Sequence, residues 1–238
     1  ARLIRADVRE AAQIIDPQAP LDRGIEAEIT TAIRRMPIDE VELLRLLRNA
    51  EEELGQSSKV VMLLIAAASV LKAHARFASA EPLMRRALAI IERSYGPDHL
   101  HTAVCLSNLA ILLQATNRRA EAEPLMRRAL SITEQNHGPD HPDVAASLTN
   151  LAMLLESTNR PAEAEPLIRR ALAINEKSYG PDHPHVAVCL NNLASLFQGT
   201  NQLAEAEPLI RRALAINEKS YGPDHPVVAI SLNNLAML

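Results

Sequence analysis

The amino-acid sequence predicts an all-α fold, a solenoid of helix-turn-helix repeats, and three recurring markers predict it. Gly-Pro-Asp-His occurs at residues 96–99, 138–141, 180–183 and 222–225, each copy 42 residues after the last. The proline of Glu-Pro-Leu keeps the same interval at Pro82, Pro124, Pro166 and Pro208. Asn-Leu-Ala follows it from Asn108, Asn150, Asn192 and Asn234. Self-similarity at a fixed period of a few tens of residues marks a repeat architecture, in which each unit buries its apolar face on its neighbours.

Each period reads as two helices. In the copy over residues 98–139, Asp98 is the expected N-cap, because its carboxylate suits the positive end of a helix. Pro142, Pro184 and Pro226 fall in the first turn of later copies, where a missing N–H does no harm. Val104, Leu106, Leu109, Ala110 and Leu113 have helical apolar spacing. Thr116-Asn117-Arg118 is a short polar turn. A second helix from about Arg119 carries Ala122, Leu125, Met126, Ala129, Leu130 and Ile132, and stops at Gly138-Pro139. Pro124 sits near its start, where it is expected to tighten or bend the turn.

The same reading divides the chain. Residues 58–97 form a degenerate repeat, with helices at 58–74 and 77–93 and Ala66 in the slot that holds Asn later. Residues 98–139, 140–181 and 182–223 are full repeats, and 224–238 is half of one. Residues 162–194 and 204–236 differ at only three of 33 positions. Residues 1–57 do not follow the period. They predict helices at 3–15, 22–35 and 38–54, broken at Asp16-Pro17 and Pro37 and ended at Gly55. Leu43, Leu44, Leu47, Ala50 and Leu54 make one apolar stripe. This segment reads either as the cap of the array or as the tail of a preceding domain.

Composition agrees and narrows the function. Hydrophobic residues make up 47% of the chain but aromatics only 2%, with no Trp, so the core must be aliphatic, which suits helices. A net charge of −4 argues against a nucleic-acid partner. Two cysteines, Cys105 and Cys189, make no disulfide framework and fit a reducing, cytoplasmic setting. The N-terminal residues 1–7 lack a signal-peptide core. The most apolar run, residues 60–71, is too short for the roughly 20 residues that span a bilayer, so no membrane partner is expected.

The anchors Asp-His-Pro-x-Val-Ala, Leu-Asn-Asn-Leu-Ala and Ala-Glu-Ala-Glu-Pro-Leu-x-Arg-Arg-Ala-Leu resemble the tetratricopeptide repeat, in the 42-residue variety of the kinesin light chain and its bacterial look-alikes. The resemblance covers about residues 58–238. Ala110, Ala122 and Ala129 match the small-residue positions of that family, while Leu106 and Leu113 replace its usual first-helix Trp and Tyr. It implies a right-handed superhelix whose first helices line a concave groove for an extended peptide. Carried over, the groove positions are Asn108, Asn150, Asn192 and Asn234, with Ser107, Thr149, Asn191 and Asn233 beside them. Val104, Ala146, Val188 and Ile230 lie a turn earlier. Ile111, Met153, Ser195 and Met237 lie nearly a turn later, and Gln114, Glu156 and Gln198 close the row. An amide both donates and accepts, so an asparagine ladder can clamp a peptide backbone of any sequence. The same amides can instead bond neighbouring helices and hold repeat spacing. No Lys or Arg occupies these positions, which argues against a carboxylate clamp.

Other patterns read as architecture. Arg85-Arg86, Arg127-Arg128, Arg169-Arg170 and Arg211-Arg212 each follow a glutamate (Glu81, Glu123, Glu165, Glu207) at the favoured ion-pair spacing. His99, His141, His183 and His225 recur one helix diameter or more apart, too far to share one metal ion between repeats. Phosphate loops, His-Glu-x-x-His and Cys-x-x-Cys are absent from the sequence. The expectation is a non-catalytic module without metal or cofactor that binds a protein or peptide. The chain lacks an initiator Met and stops in mid-repeat, so it also reads as the sensor or scaffold segment of a larger signalling protein with an ATPase or protease domain elsewhere. The half repeat, with Leu232, Leu235 and Leu238, is expected to self-associate end to end.

Overall fold

A computed structural model describes residues 28–29, 39–55 and 57–236, and these are helical apart from turns. The helix predicted at 3–15, most of that at 22–35, and residues 237–238 lie outside the described residues. Glu28 and Ile29 are helical, and Ile29 is buried. The chain forms two compact units, Ala1–Leu125 and Met126–Leu238.

In the first unit, α1 spans Glu40–Leu54, α2 Ser58–Ala73, α3 Phe77–Tyr95 and α4 Leu100–Ala115. The next helix, α5 (Arg119–His137), begins in the first unit and ends in the second. Asp39 caps α1 by accepting the N–H of Glu42 at 3.0 Å. α1 packs on α2, α2 on α3, and α3 on α4. The buried stripe of α1 is Leu43, Leu46, Leu47 and Ala50, whereas Leu44 and Leu54 of the predicted stripe are half-buried. Ala67, Ala68, Ala80, Ala87 and Ala110 are wholly buried. Side chains this small let helix axes approach closely.

In the second unit, α6 spans Pro142–Ser157, α7 Pro161–Tyr179, α8 Pro184–Gly199, α9 Leu203–Tyr221 and α10 Pro226–Ala236. Each packs on the next, and α6 also touches α8. One core cluster joins Val144, Ala145, Leu148, Ala171, Ile174 and Cys189. The next joins Val186, Ala187, Leu190, Ala213 and Ile216. Leu172 packs against both. Within this unit neither cluster is closed by one hairpin alone; the neighbouring repeat completes it, which is the physical reason adjacent repeats stack.

The turns show how the period is written. Asn117, Asn159 and Asn201 sit at φ 63, 60 and 61, the left-handed region that Asn tolerates. The helices that start second in each hairpin run on through Pro82, Pro124, Pro166 and Pro208. The expected cap Asp98 is corrected: it lies in the turn, and His99 occupies the N-cap with its Nδ1 accepting the N–H of His101 at 3.2 Å. His141, His183 and His225 make the same bond to Asp143, His185 and Val227.

Candidate functional site

The first helices of the second unit are α6, α8 and α10, and α6 touches α8. Leu148, Leu151, Leu190 and Leu193 are buried on them. Asn150, Asn192, Asn234, Thr149 and Asn191 are half-buried there, and Asn233 is exposed. Ala146 and Ser195 are exposed. So are Met153, Val188 and Ile230, with 47, 51 and 58% of their surface open to water. Met237 lies outside the described residues. Two bonds tie the helices side by side. The Ser195 hydroxyl donates to Glu156 Oε1 at 3.1 Å, and Gln198 Nε2 donates to the Asn234 carbonyl at 3.1 Å. In the first unit, α4 carries Val104, Ser107, Asn108, Ile111 and Gln114, all half-buried.

Glu156 and Gln198 therefore do the helix-spacing work that could have fallen to the asparagines. The side-chain amides of Asn108, Asn150, Asn192 and Asn234 make no hydrogen bond to a described residue. The Oδ1 of Asn191 is buried without a partner among the described residues. A buried acceptor left unpaired is costly, so it marks a place where a donor fits. Thr149 differs, because its hydroxyl donates to the Ala145 carbonyl at 2.8 Å. The Ser195–Glu156 contact escaped sequence reading because its partners are 39 residues apart, a separation set by stacking rather than by helical spacing.

Charge is distributed unevenly. α4, α8 and α10 contain no Asp, Glu, Lys or Arg. The second helices carry the charge, and it is spent on architecture. Arg85, Arg169 and Arg211 pair with Glu81, Glu165 and Glu207 at 2.8, 2.8 and 2.7 Å, as the spacing predicts. The second arginine of three of the pairs reaches back to a preceding glutamate, which the sequence reading missed. Arg170 meets Glu134 at 2.6 Å, Arg212 meets Glu176 at 2.7 Å, and Arg86 meets Glu51. Arg170 and Arg212 also donate to the Pro139 and Pro181 carbonyls. Lys177 and Lys219 bond Asp140 and Asp182 at 2.7 Å, and these bonds hold both carboxyls below the usual range.

Neither cysteine is poised for chemistry. Burial pushes the Cys105 thiol up to about 12. Burial, then the nearby Glu176 charge, raises Cys189, although the Asn175 amide donates to its sulfur at 3.3 Å. No helix among the described residues is long and apolar enough to cross a membrane.

Comparisons with known proteins fit this arrangement. The tetratricopeptide repeat family model matches residues 60–135, 118–177, 158–219 and 194–238. No curated protein matches. Among solved structures, BtubC (BKLC) from P. vanneervenii is 26% identical with a TM-score of 0.68, over 91% of this chain and 84% of that one. A putative kinesin light chain from Podosopora anserina, with nearly identical repeats, is 20% identical with a TM-score of 0.65, over 92% and 97%. The apo form of RapI is 18% identical with a TM-score of 0.67, over 89% and 82%. These last two show likeness of fold alone. The chain belongs to the tetratricopeptide repeat family, whose repeats mediate protein–protein interaction and typically serve as scaffolds rather than catalysts.

Proposed function

We propose that this repeat protein holds an extended protein segment against the face formed by α6, α8 and α10. The amides of Asn150, Asn192 and Asn234 clamp the segment's backbone, with Asn191 Oδ1 accepting one of its N–H groups. Met153, Val188 and Ile230 receive its small apolar side chains. On α4, Asn108, Ser107, Val104, Ile111 and Gln114 hold the corresponding positions. The observation that carries this reading is the row of amides without a partner among the described residues, including a buried acceptor, on a nearly uncharged face. Such a face selects neither strongly acidic nor strongly basic partners. In a longer signalling protein the same face would serve as its sensor or scaffold surface.

The test begins with peptides selected from a random displayed library against the whole chain. Two amide contacts at about 1 kcal/mol each predict that the double variant Asn150→Ala/Asn192→Ala binds such peptides roughly tenfold or more weakly, with its unfolding midpoint unchanged. Equal affinity from a folded double variant refutes the clamp. A second reading concerns α10, where Leu232 is 48% exposed. A second copy packing on this helix covers that side chain. Sedimentation should then show concentration-dependent dimers that Leu232→Glu abolishes; a monomer at every concentration counts against it.

A further inference from the structure

The turns between repeats share a plan, and one of them departs from it twice. Tyr95, Tyr179 and Tyr221 end three of the second helices. Each stacks on the capping histidine four residues on, with ring centroids 4.9, 4.5 and 4.7 Å apart. At the remaining turn His137 replaces the tyrosine and lies tilted against His141, centroids 4.2 Å apart. Two residues past the cap, the other turns carry His101, His185 and Val227, but this one carries Asp143. Both departures bring metal-ligating groups to the same spot. Spacing excludes an ion shared between repeats, but these three residues lie within a single turn.

A ligand atom from each of His137, His141 and Asp143 lies within 4.8 Å of the other two, the one such convergence among the described residues. Asp143 Oδ2 is 3.0 Å from His137 Nδ1 and 3.5 Å from His141 Nδ1. Zinc bonds of about 2.0–2.1 Å in a tetrahedron set neighbouring ligand atoms roughly 3.3 Å apart. Two edges of the triangle are already near that length. All three side chains are at least partly open to water, so rotation about their own bonds closes the third edge. Beside them is an open hollow of about 350 Å³ lined by His137, Gly138, Pro139, Asp140, His141 and Pro142.

We propose that His137, His141 and Asp143 bind a divalent transition ion, zinc foremost. Two imidazoles and one carboxylate suit that class of ion, and three protein ligands leave a fourth position for water or a partner's side chain. The ion occupies the space where His137 and Asp143 now face each other. It competes for the His141 Nδ1 lone pair with the Asp143 N–H, 3.2 Å away. The carboxylate of Asp143 offsets the unfavourable approach of a cation to the start of α6. The tyrosine-bearing turns act as internal controls, because in none of them do two imidazoles and a carboxylate converge among the described residues.

The experiment titrates the full chain, free of any histidine tag, with Zn²⁺ by calorimetry and with Co²⁺ by visible absorption. One equivalent should bind. His137→Tyr restores the residue of the other turns and so preserves the fold; it should weaken binding roughly tenfold or more, as metal-site losses do. Asp143→Asn should do the same. His141→Asn keeps a capping side chain and should also lose the ion. Unchanged affinity in His137→Tyr, or no uptake of either ion by the native chain at millimolar concentration, overturns the proposal.

Discussion

The α2–α3 hairpin and the α8–α9 hairpin reach the same fold with different residues, three periods apart. Both keep Leu64 and Leu190, Ala68 and Ala194, and Ala87 and Ala213 in the core. Both keep the glutamate–arginine pair, Glu81–Arg85 and Glu207–Arg211, and an arginine reaching back to a preceding glutamate. The first hairpin lacks three things the later one has. Ser57 in the cap slot makes no capping bond, whereas His183 does. Ala75 takes the left-handed turn at φ 57, where Asn201 takes it at φ 61. Ala66 fills the place of Asn192. What both hairpins retain is what a stacked pair of helices needs. The asparagine is not among them, and its amide bonds no described residue in α8–α9.

Substitutions put that contrast to the test. The largest effect should come from the shared core: Leu64→Ala and Leu190→Ala should each cost about 2–5 kcal/mol in urea unfolding. A large disparity between them would mean the two hairpins are not equivalent. Next is the exchanged slot. Ala66 is 7% exposed, so Ala66→Asn should cost about 1–3 kcal/mol by burying an amide. Asn192→Ala should move stability by less than about 0.5 kcal/mol, and a larger loss would make that asparagine architectural. Ala75→Asn should stabilise by about 1 kcal/mol, because it relieves a left-handed alanine. His183→Ala should cost about 1 kcal/mol through the lost cap. Arg212→Ala should cost under about 1 kcal/mol, since its ion pair is exposed. The Lys219–Asp182 bond belongs with these small effects. Its carboxyl is held below the usual 3.8, so its contribution is complete above that pH and is lost as pH falls through the lowered value. Melting curves between about pH 5 and 2 should reveal it, and raised salt should shrink it.

Most of the fold is legible in the sequence because the period places every marker in one register. Helix ends agree within about two residues, as at Phe77–Tyr95 against an expected 77–93. The capping residue is not legible: aspartate is the commoner cap, and only the backbone path puts His99 rather than Asp98 at the helix start. The arginines' second role is hidden for a different reason. Glu134 and Arg170 are 36 residues apart, a spacing that has meaning only once repeats are stacked. His137 gives no signal to a search for what recurs, since its interest lies in being an exception. On the proposed binding face, the sequence nominates Asn150 and Asn192 but does not choose between clamp and spacer. Their amides bond no described residue, which favours the clamp, because Glu156 and Gln198 supply the bonds between helices.

The contacts that join one repeat to the next each use a residue from either side of a single boundary, as Arg170 does with Glu134 and Arg212 with Glu176. A recombination event that copies one whole period therefore supplies both halves of each such contact. The three positions that separate residues 162–194 from 204–236 are His185 against Val227, Val188 against Ile230, and Cys189 against Ser231. The last swap keeps an acceptor for the buried amide, since Asn217 donates to Ser231 at 3.1 Å as Asn175 does to Cys189 at 3.3 Å. An array built this way can change its length in a single genetic step and then diversify its exposed face one residue at a time, without renegotiating its core.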